Sequence, residues 1–273
     1  MTTRRGLAIL GTGNIGRAMA IGVTERGGFA PGEVILTRRR LEALDDLAGR
    51  GFGVQSDNVD AVKRSDTVIV AVEPGQLDTL LQEIGPALSP GRHLLISVVS
   101  GATIDDILRQ VGEKIPVVRA MPNTAISLGQ SMTCLATHSD DSEAIDAAVG
   151  IFGSVGRTLV ISEELIVPAT ALCACGVAFF LRAVRAASQG GIEIGFHPAE
   201  ALSMAAQTAL GAASLVLESG KHPEDAIDNV TTPRGCTIAG LNEMEHQGFG
   251  SAMIKGIILS ANKAAALYRD DSS

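Results

Sequence analysis

Leu7-Ala8-Ile9-Leu10-Gly11-Thr12-Gly13-Asn14-Ile15-Gly16 decides the fold, because an apolar run of strand length enters a Gly-x-Gly-x-x-Gly turn that opens a helix-like segment at 15–24. In that setting each glycine has a separate task. Gly11 permits the tight turn, Gly13 lets a pyrophosphate approach the backbone, and Gly16 allows the helix to pack closely on the strand. The free amides of the helix start then favour the anion. Gly11, Thr12, Gly13, Asn14, Ile15 and Gly16 are therefore expected to hold a dinucleotide; a simple glycine-rich turn is the alternative reading.

Outward from this turn, β-rich runs at 34–37, 67–72, 93–98 and 116–119 alternate with helical patterns such as 40–50 and 104–111. That alternation predicts a parallel sheet with helices on both faces, a Rossmann-type α/β fold. Runs at 131–136 and 157–161 extend the sheet, with a helix at 142–153 between them. After Ser162 the strand signals stop and Ala-, Leu-, Met- and Gly-rich helical patterns take over. The expected division is a dinucleotide-binding domain at 1–161 and an all-helical domain at 162–273. Ser162 should cap the first helix, Pro168 should kink it or delay its start, and later helices should lie near 199–219 and 237–268.

The end of the second strand reads Thr37-Arg38-Arg39, with no acid before Glu42. NAD sites usually place Asp or Glu there for the ribose hydroxyls, whereas a hydroxyl and a guanidinium suit a 2′-phosphate. NADPH is expected over NADH, with Thr37 and Arg38 as the phosphate contacts. Dinucleotides lie across the carboxyl ends of the strands, so the turns Ala71-Val72-Glu73-Pro74 and Val98-Val99-Ser100-Gly101 are further candidates. Met121-Pro122-Asn123-Thr124 is placed to abut a nicotinamide. Each of these turns would also serve simply to end a strand.

A second chemical signal is Val230-Thr231-Thr232-Pro233-Arg234-Gly235-Cys236-Thr237, a hydroxyl-rich loop running into a helix. A helix start attracts a carboxylate, and Thr237 adds a hydroxyl that can donate or accept a hydrogen bond. The alternative is a turn followed by Thr as an ordinary cap.

Composition excludes other classes. The net charge is −8 and the one basic cluster is Arg38-Arg39-Arg40, which argues against a nucleic-acid partner. Apolar runs are interrupted well before membrane-spanning length, and residues 1–6 lead into a strand rather than a signal-peptide core, so a cytoplasmic protein without a membrane partner is expected. Cys134, Cys173, Cys175 and Cys236 form no pair of CxxC units, and His222 and His246 lack companion ligands, so no metal is expected. Hydrophobic residues make up 46% of the chain against 19% charged, which points to burial between subunits and a homodimer or a larger assembly of dimers.

Taken together, these residues resemble the pyrroline-5-carboxylate reductase family, NADPH-dependent enzymes of proline biosynthesis. The resemblance runs nearly end to end. It is carried by the Gly11 to Gly16 turn, Asn58, the Ala-Val-x-Pro turn at 71–74, Arg119-Ala120-Met121-Pro122-Asn123-Thr124, Thr170-Ala171 and, above all, 228–241. It implies that Asn58, Ala71, Val72, Glu73, Pro74, Val98, Val99 and Ser100 line the NADPH site, with Asn229 reaching it from the helical domain. A cyclic imine carboxylate would sit with Thr232 against the amides of Gly235, Cys236 and Thr237, across a dimer interface. Thr237, as the catalytic residue, would hydrogen-bond the ring nitrogen. Little acid–base machinery is needed, because a protonated cyclic imine is already a good hydride acceptor.

The chain departs from the family in three places. Cys173-Ala174-Cys175-Gly176-Val177-Ala178-Phe179 stands where Ser-Gly-Ser-Gly-Pro-Ala-Tyr is usual, Glu73 replaces a Lys, and Arg234 replaces the first Gly of a Pro-Gly-Gly turn. Those departures keep a related imine, such as pyrroline-2-carboxylate, open as the substrate. A non-catalytic NADPH sensor is the alternative from another class.

Overall fold

Strand β1 (Leu7–Leu10) lies inside an eight-stranded sheet, with β2 (Val34–Thr37) on one side and β4 (Thr67–Val70) on the other. The computed structural model describes residues 6–138 and 142–270, with side chains described as far as residue 265. The readings made for residues 1–5 and 271–273 lie outside it. Beyond β2 comes β3 (Gly53–Gln55); beyond β4 come β5 (Leu94–Ser97), β6 (Val117–Met121), β7 (Ser131–Thr137) and β8 (Gly156–Val160), giving the order 3-2-1-4-5-6-7-8. The connection from β3 to β4 returns the chain to the far side of β1, so the sheet reverses direction there. That reversal opens the crevice where dinucleotides bind in such folds.

All residues of β1, β2, β4 and β5 are buried, as expected of parallel strands covered on both faces. Alternation divides them between two cores. Leu7, Ile9, Val34, Leu36 and Ile69 enter one, while Ala8, Leu10, Ile35, Val68 and Val70 enter the other. Helices α1 (Asn14–Glu25), α2 (Asp45–Gly49), α3 (Asn58–Lys63), α4 (Leu77–Ile84), α5 (Ile104–Val111) and α6 (Ser142–Gly153) connect the strands.

Several expectations change. The sheet is not wholly parallel: β7 runs antiparallel to β6, with Val118 opposite Thr137. The physical reason is the short link at 122–130, since a parallel crossover needs about a dozen residues or more. The helix expected at 40–50 splits into a 3₁₀ turn at Leu41–Leu44 followed by α2. Strand β3 and helices α3 and α4 had not been expected.

After β8 the chain is helical. A 3₁₀ turn at Glu163–Leu165 leads through α7 (Ile166–Ala169) and a π-helical segment, Thr170–Cys175, into α8 (Gly176–Glu193). Ser162 stands at the cap position without a side-chain bond to the helix start. Pro168 falls in the first turn of α7, where an amide would lack an intrahelical partner anyway, so the irregularity appears after it as the π segment. Helices α9 (Pro198–Ser219), α10 (Pro223–Val230), α11 (Cys236–His246) and α12 (Phe249–Asp270) follow. The single helix expected at 237–268 is thus two, parted where Gly248 adopts φ +79°.

The chain forms two compact units. One runs to Cys175 and takes in the chain from Ser260; the other is Gly176–Leu259. Within the second, α8 packs on α9, and a Cβ on Gly191 would lie 3.0 Å from the Ala201 side chain. Two helical stretches, Glu163–Glu193 and Pro198–Ser219, are long and apolar enough to cross a membrane by length and composition. The expectation that none would be rested on uninterrupted apolar runs, whereas Ala, Gly and Leu with few charges reach the same average over a helix. The core helix of a soluble protein passes the same test.

Candidate functional site

At the end of β1, the Thr37 carbonyl accepts hydrogen bonds from the amides of Gly11, at 3.2 Å, and Thr12, at 2.9 Å. Gly11 has φ +88°, and a Cβ there would lie 2.5 Å from Val72 Cγ1 and 2.8 Å from the Ala71 carbonyl oxygen. A Cβ on Gly16 would fall 2.8 Å from the Gly11 carbonyl oxygen. At Gly13, by contrast, the same atom would meet nothing within 4 Å. Two glycines are required by the protein's own packing, and the third opens the backbone to a ligand. Helix α1 then begins with no side-chain cap and no acid in its first turn. Free amides beside open space fit a pyrophosphate, so the residues present suit a dinucleotide.

Thr37, expected as a phosphate contact, points inward. Its residue is only 1% exposed, and its Oγ1 accepts from the Gly11 amide at 3.4 Å, so both of its oxygens face the glycine turn. Arg38 does face outward. Its Nη1 donates to the Thr12 carbonyl oxygen at 3.1 Å, placing an exposed guanidinium at the rim of the same turn.

The other expected cofactor residues of this unit fall at strand ends. The Ala71 amide donates to the Leu10 carbonyl at 2.7 Å, and the Val98 amide to the Val70 carbonyl at 3.0 Å. Val72, Pro74, Val98 and Ser100 are half-buried, Glu73 is exposed, and Val99 is buried in the second core with its amide on Ser97 Oγ at 3.3 Å. Asn58 is the first residue of α3, and its Nδ2 donates to the Glu83 carboxylate at 3.1 and 3.3 Å. The structure thus brings the Ala71–Val72 turn against Gly11 and ties Asn58 to α4.

The turn after β6 is more elaborate than the sequence suggests. Asn123 is buried: its Nδ2 donates to the Cys173 carbonyl at 3.2 Å, its Oδ1 accepts from the Ala125 amide at 3.0 Å, and its own amide donates to Ser131 Oγ at 3.2 Å. Arg119 on β6 is 2% exposed, and its Nη1 lies 3.0 Å from Glu163 Oε1, which also accepts the Ile104 amide at 2.6 Å. Burial lowers the Arg119 pKa, and the Glu163 carboxylate opposes that shift. This pair, separated by 44 positions, gave no sequence signal beyond the acid after Ser162.

In the helical unit, α10 ends at Val230 and Thr231 Oγ1 donates to the Ile227 carbonyl at 2.7 Å. The Gly235 amide donates to the Thr232 carbonyl at 2.9 Å, closing a turn in which a Cβ on Gly235 would lie 2.4 Å from Thr232 Oγ1. Arg234 has φ +60°, the one positive value at a non-glycine position among the described residues. Gly235 is the N-cap of α11, so Thr237 is the second residue of the helix and not its cap. No side chain caps α11 and no acid occupies its first turn. Thr232, Cys236 and Asn229 are exposed and Thr237 is half-buried. The Gly235 amide, expected to face a carboxylate, is thus occupied, and the amides of Cys236 and Thr237 at the helix start can receive an anion with a hydroxyl beside them.

A doubly wound sheet with an open glycine cradle at its reversal point, followed in the chain by a helical unit, has the architecture of the NAD(P)-binding oxidoreductases. Residues 163–267 match the family described as pyrroline-5-carboxylate reductase dimerisation, and residues 6–101 match NADP oxidoreductase, coenzyme F420-dependent. The chain belongs to the pyrroline-5-carboxylate reductase family. It is 53% identical, over 96% of its length, to pyrroline-5-carboxylate reductase 1 of Dictyostelium discoideum, of which it spans 50%. It is 44% identical to pyrroline-5-carboxylate reductase 2 of the same organism, covering 97% of this chain and 94% of that protein. The Plasmodium falciparum pyrroline carboxylate reductase, solved with NADP bound, shares the fold at 23% identity, with a TM-score of 0.88 over 97% of this chain and 98% of that one.

Proposed function

We propose that this protein reduces 1-pyrroline-5-carboxylate to L-proline, with NADPH as the hydride donor. The observation that carries this reading is the segment 228–241, which places an uncapped helix start and the Thr237 hydroxyl together in a chain of this family. The imine's carboxylate is assigned to the amides of Cys236 and Thr237 with Thr232 beside them, the Gly235 amide expected there being taken by the Thr232 carbonyl, and the ring nitrogen is assigned to Thr237 Oγ1. NADPH, when bound, supplies the hydride. Gly11 to Gly16 hold its pyrophosphate, the 71–74 and 98–100 turns with Asn58 line its path, and Asn229 is a further cofactor contact.

Preference for NADPH rests on Arg38, whose exposed guanidinium stands at the glycine turn where an acid would favour NADH. Thr37 supports that turn from beneath. The 162–273 segment acts as substrate-binding and dimerisation domain, the working form is a homodimer or an assembly of dimers, and the enzyme works in the cytoplasm. Kinetics with 1-pyrroline-5-carboxylate, pyrroline-2-carboxylate and the six-membered imine, each with NADPH and NADH, test the assignment. The expected outcome is the highest kcat/KM for 1-pyrroline-5-carboxylate with NADPH; a higher value for another imine or for NADH overturns the corresponding half.

A further inference from the structure

Of the four cysteines, Cys134 and Cys173 are the two whose sulfurs the structure brings into contact, 4.0 Å apart. Cys134 is buried on β7, and Cys173 is half-buried in the π-helical segment, packed on a small apolar cluster with Met121, Ile166 and Ala169. Cys173 lies in the stretch 173–179, where the sequence has thiols in place of the hydroxyls usual in the family it resembles. The hydrogen bond between the two sulfurs holds the Cys173 thiol down to about 7, and with burial it pushes the Cys134 thiol up. A thiolate-prone sulfur beside a protonated thiol is the arrangement of an attacking and a resolving cysteine.

The location links this pair to the turn after β6, which the sequence places to abut a nicotinamide. The Cys173 carbonyl accepts the Asn123 carboxamide at 3.2 Å, and Asn123 belongs to the turn after β6. A covalent bond between β7 and the π segment would require each sulfur to move, since a disulfide closes at about 2.05 Å. The π segment would have to adjust with it, and the Asn123 contact lies on the same residue.

We propose that Cys134 and Cys173 form an oxidative modification site, converted by hydrogen peroxide to a disulfide that slows turnover. In the first step Cys173 sulfur attacks the peroxide, an S–O bond forms, the O–O bond breaks, and a sulfenic acid and one water result. Cys134 then attacks that sulfur, an S–S bond forms, and the oxygen leaves as a second water. Two thiols are oxidised, one hydrogen peroxide is reduced, and a dithiol returns the enzyme to its starting state. The loss of turnover rests on the reductase reading above; the bond itself does not.

The test treats the full-length protein with a small excess of hydrogen peroxide, traps remaining thiols with N-ethylmaleimide, and maps the peptides. The expected result is a cross-linked pair containing Cys134 and Cys173, with Cys175 and Cys236 still alkylated. NADPH-dependent imine reduction should fall several-fold and return with dithiothreitol, and in Cys134→Ala the sulfenic acid at Cys173 should accumulate without a cross-link. Four alkylated thiols, a bond that uses Cys175 or Cys236, or a bonded protein with unchanged turnover overturns the proposal. A protein inactive before oxidation counts against the reductase reading, while the peptide map still decides whether the bond forms.

Discussion

The two units of this molecule bury their apolar residues to very different degrees. In the sheet unit, whole strands disappear from solvent and both faces carry continuous cores. In Gly176–Leu259, only Gly176, Ser188 and Ala201 are buried, while Phe180, Leu181, Leu210, Leu217 and Leu259 are more than half exposed. The sheet unit satisfies its own hydrophobic pattern within one chain. The helical unit has a pattern that one chain leaves open, as expected of the dimerisation domain its family matches. Folding of the first is therefore an intramolecular matter, whereas the second should depend on a second copy.

The largest effect should come from the sheet unit's glycines, where Gly11 and Gly13 predict opposite outcomes. Gly11→Ala forces a Cβ into Val72 and the Ala71 carbonyl at φ +88°, and should destabilise the protein by roughly 2–4 kcal/mol and abolish NADPH binding. Gly13→Ala meets no protein atom, so thermal unfolding should hardly move while NADPH affinity falls. Equal loss of stability in both variants would break the distinction between packing glycine and ligand-facing glycine.

Next in size is a test of the helical face. Leu210 and Leu217 lie seven residues apart on α9, hence on one side of the helix, and both are exposed. The double variant Leu210→Glu/Leu217→Glu should move the protein to single-chain mass in analytical ultracentrifugation while leaving NADPH binding in place. An unchanged sedimentation coefficient would show that this side of α9 is not what the second copy covers.

At the candidate substrate turn, Thr237→Ala should lower kcat/KM for the imine about 10-fold, or about 1.4 kcal/mol of lost transition-state contact. NADPH affinity should not follow. The smallest effect belongs to Arg234→Gly, which relieves a side chain held at φ +60° and should raise stability by roughly 1 kcal/mol in chemical denaturation. A destabilised Arg234→Gly would mean the guanidinium holds the turn together by contacts that outweigh the backbone strain.

The same contrast explains what could be read from the sequence. Strands β1, β2 and β5 are apolar runs bounded by turn residues, and burial on both faces makes such runs conspicuous. Strand β3 is three residues beginning with Gly53, too short to show a period. Helix α4 was legible in principle, since Leu77, Leu80, Leu81 and Ile84 repeat at helical spacing and all are buried. The glycine turn was visible because its backbone geometry restricts the residue types it tolerates, whereas 228–241 showed by itself only a hydroxyl-rich helix start and drew its role from resemblance to the family. The inward direction of the Thr37 hydroxyl, the Arg119–Glu163 pair and the Cys134–Cys173 contact depend on tertiary placement, which local spacing does not encode.

The reaction proposed for this protein is transfer of hydride from NADPH to the imine carbon of 1-pyrroline-5-carboxylate. Incubating the protein with 1-pyrroline-5-carboxylate and NADPH deuterated at the transferable C4 position, then locating the label by NMR, tests it most directly. The expected product is L-proline carrying one deuterium at C5, the former imine carbon; NADPH binding without labelled proline, or a label at C2, would rule that reaction out.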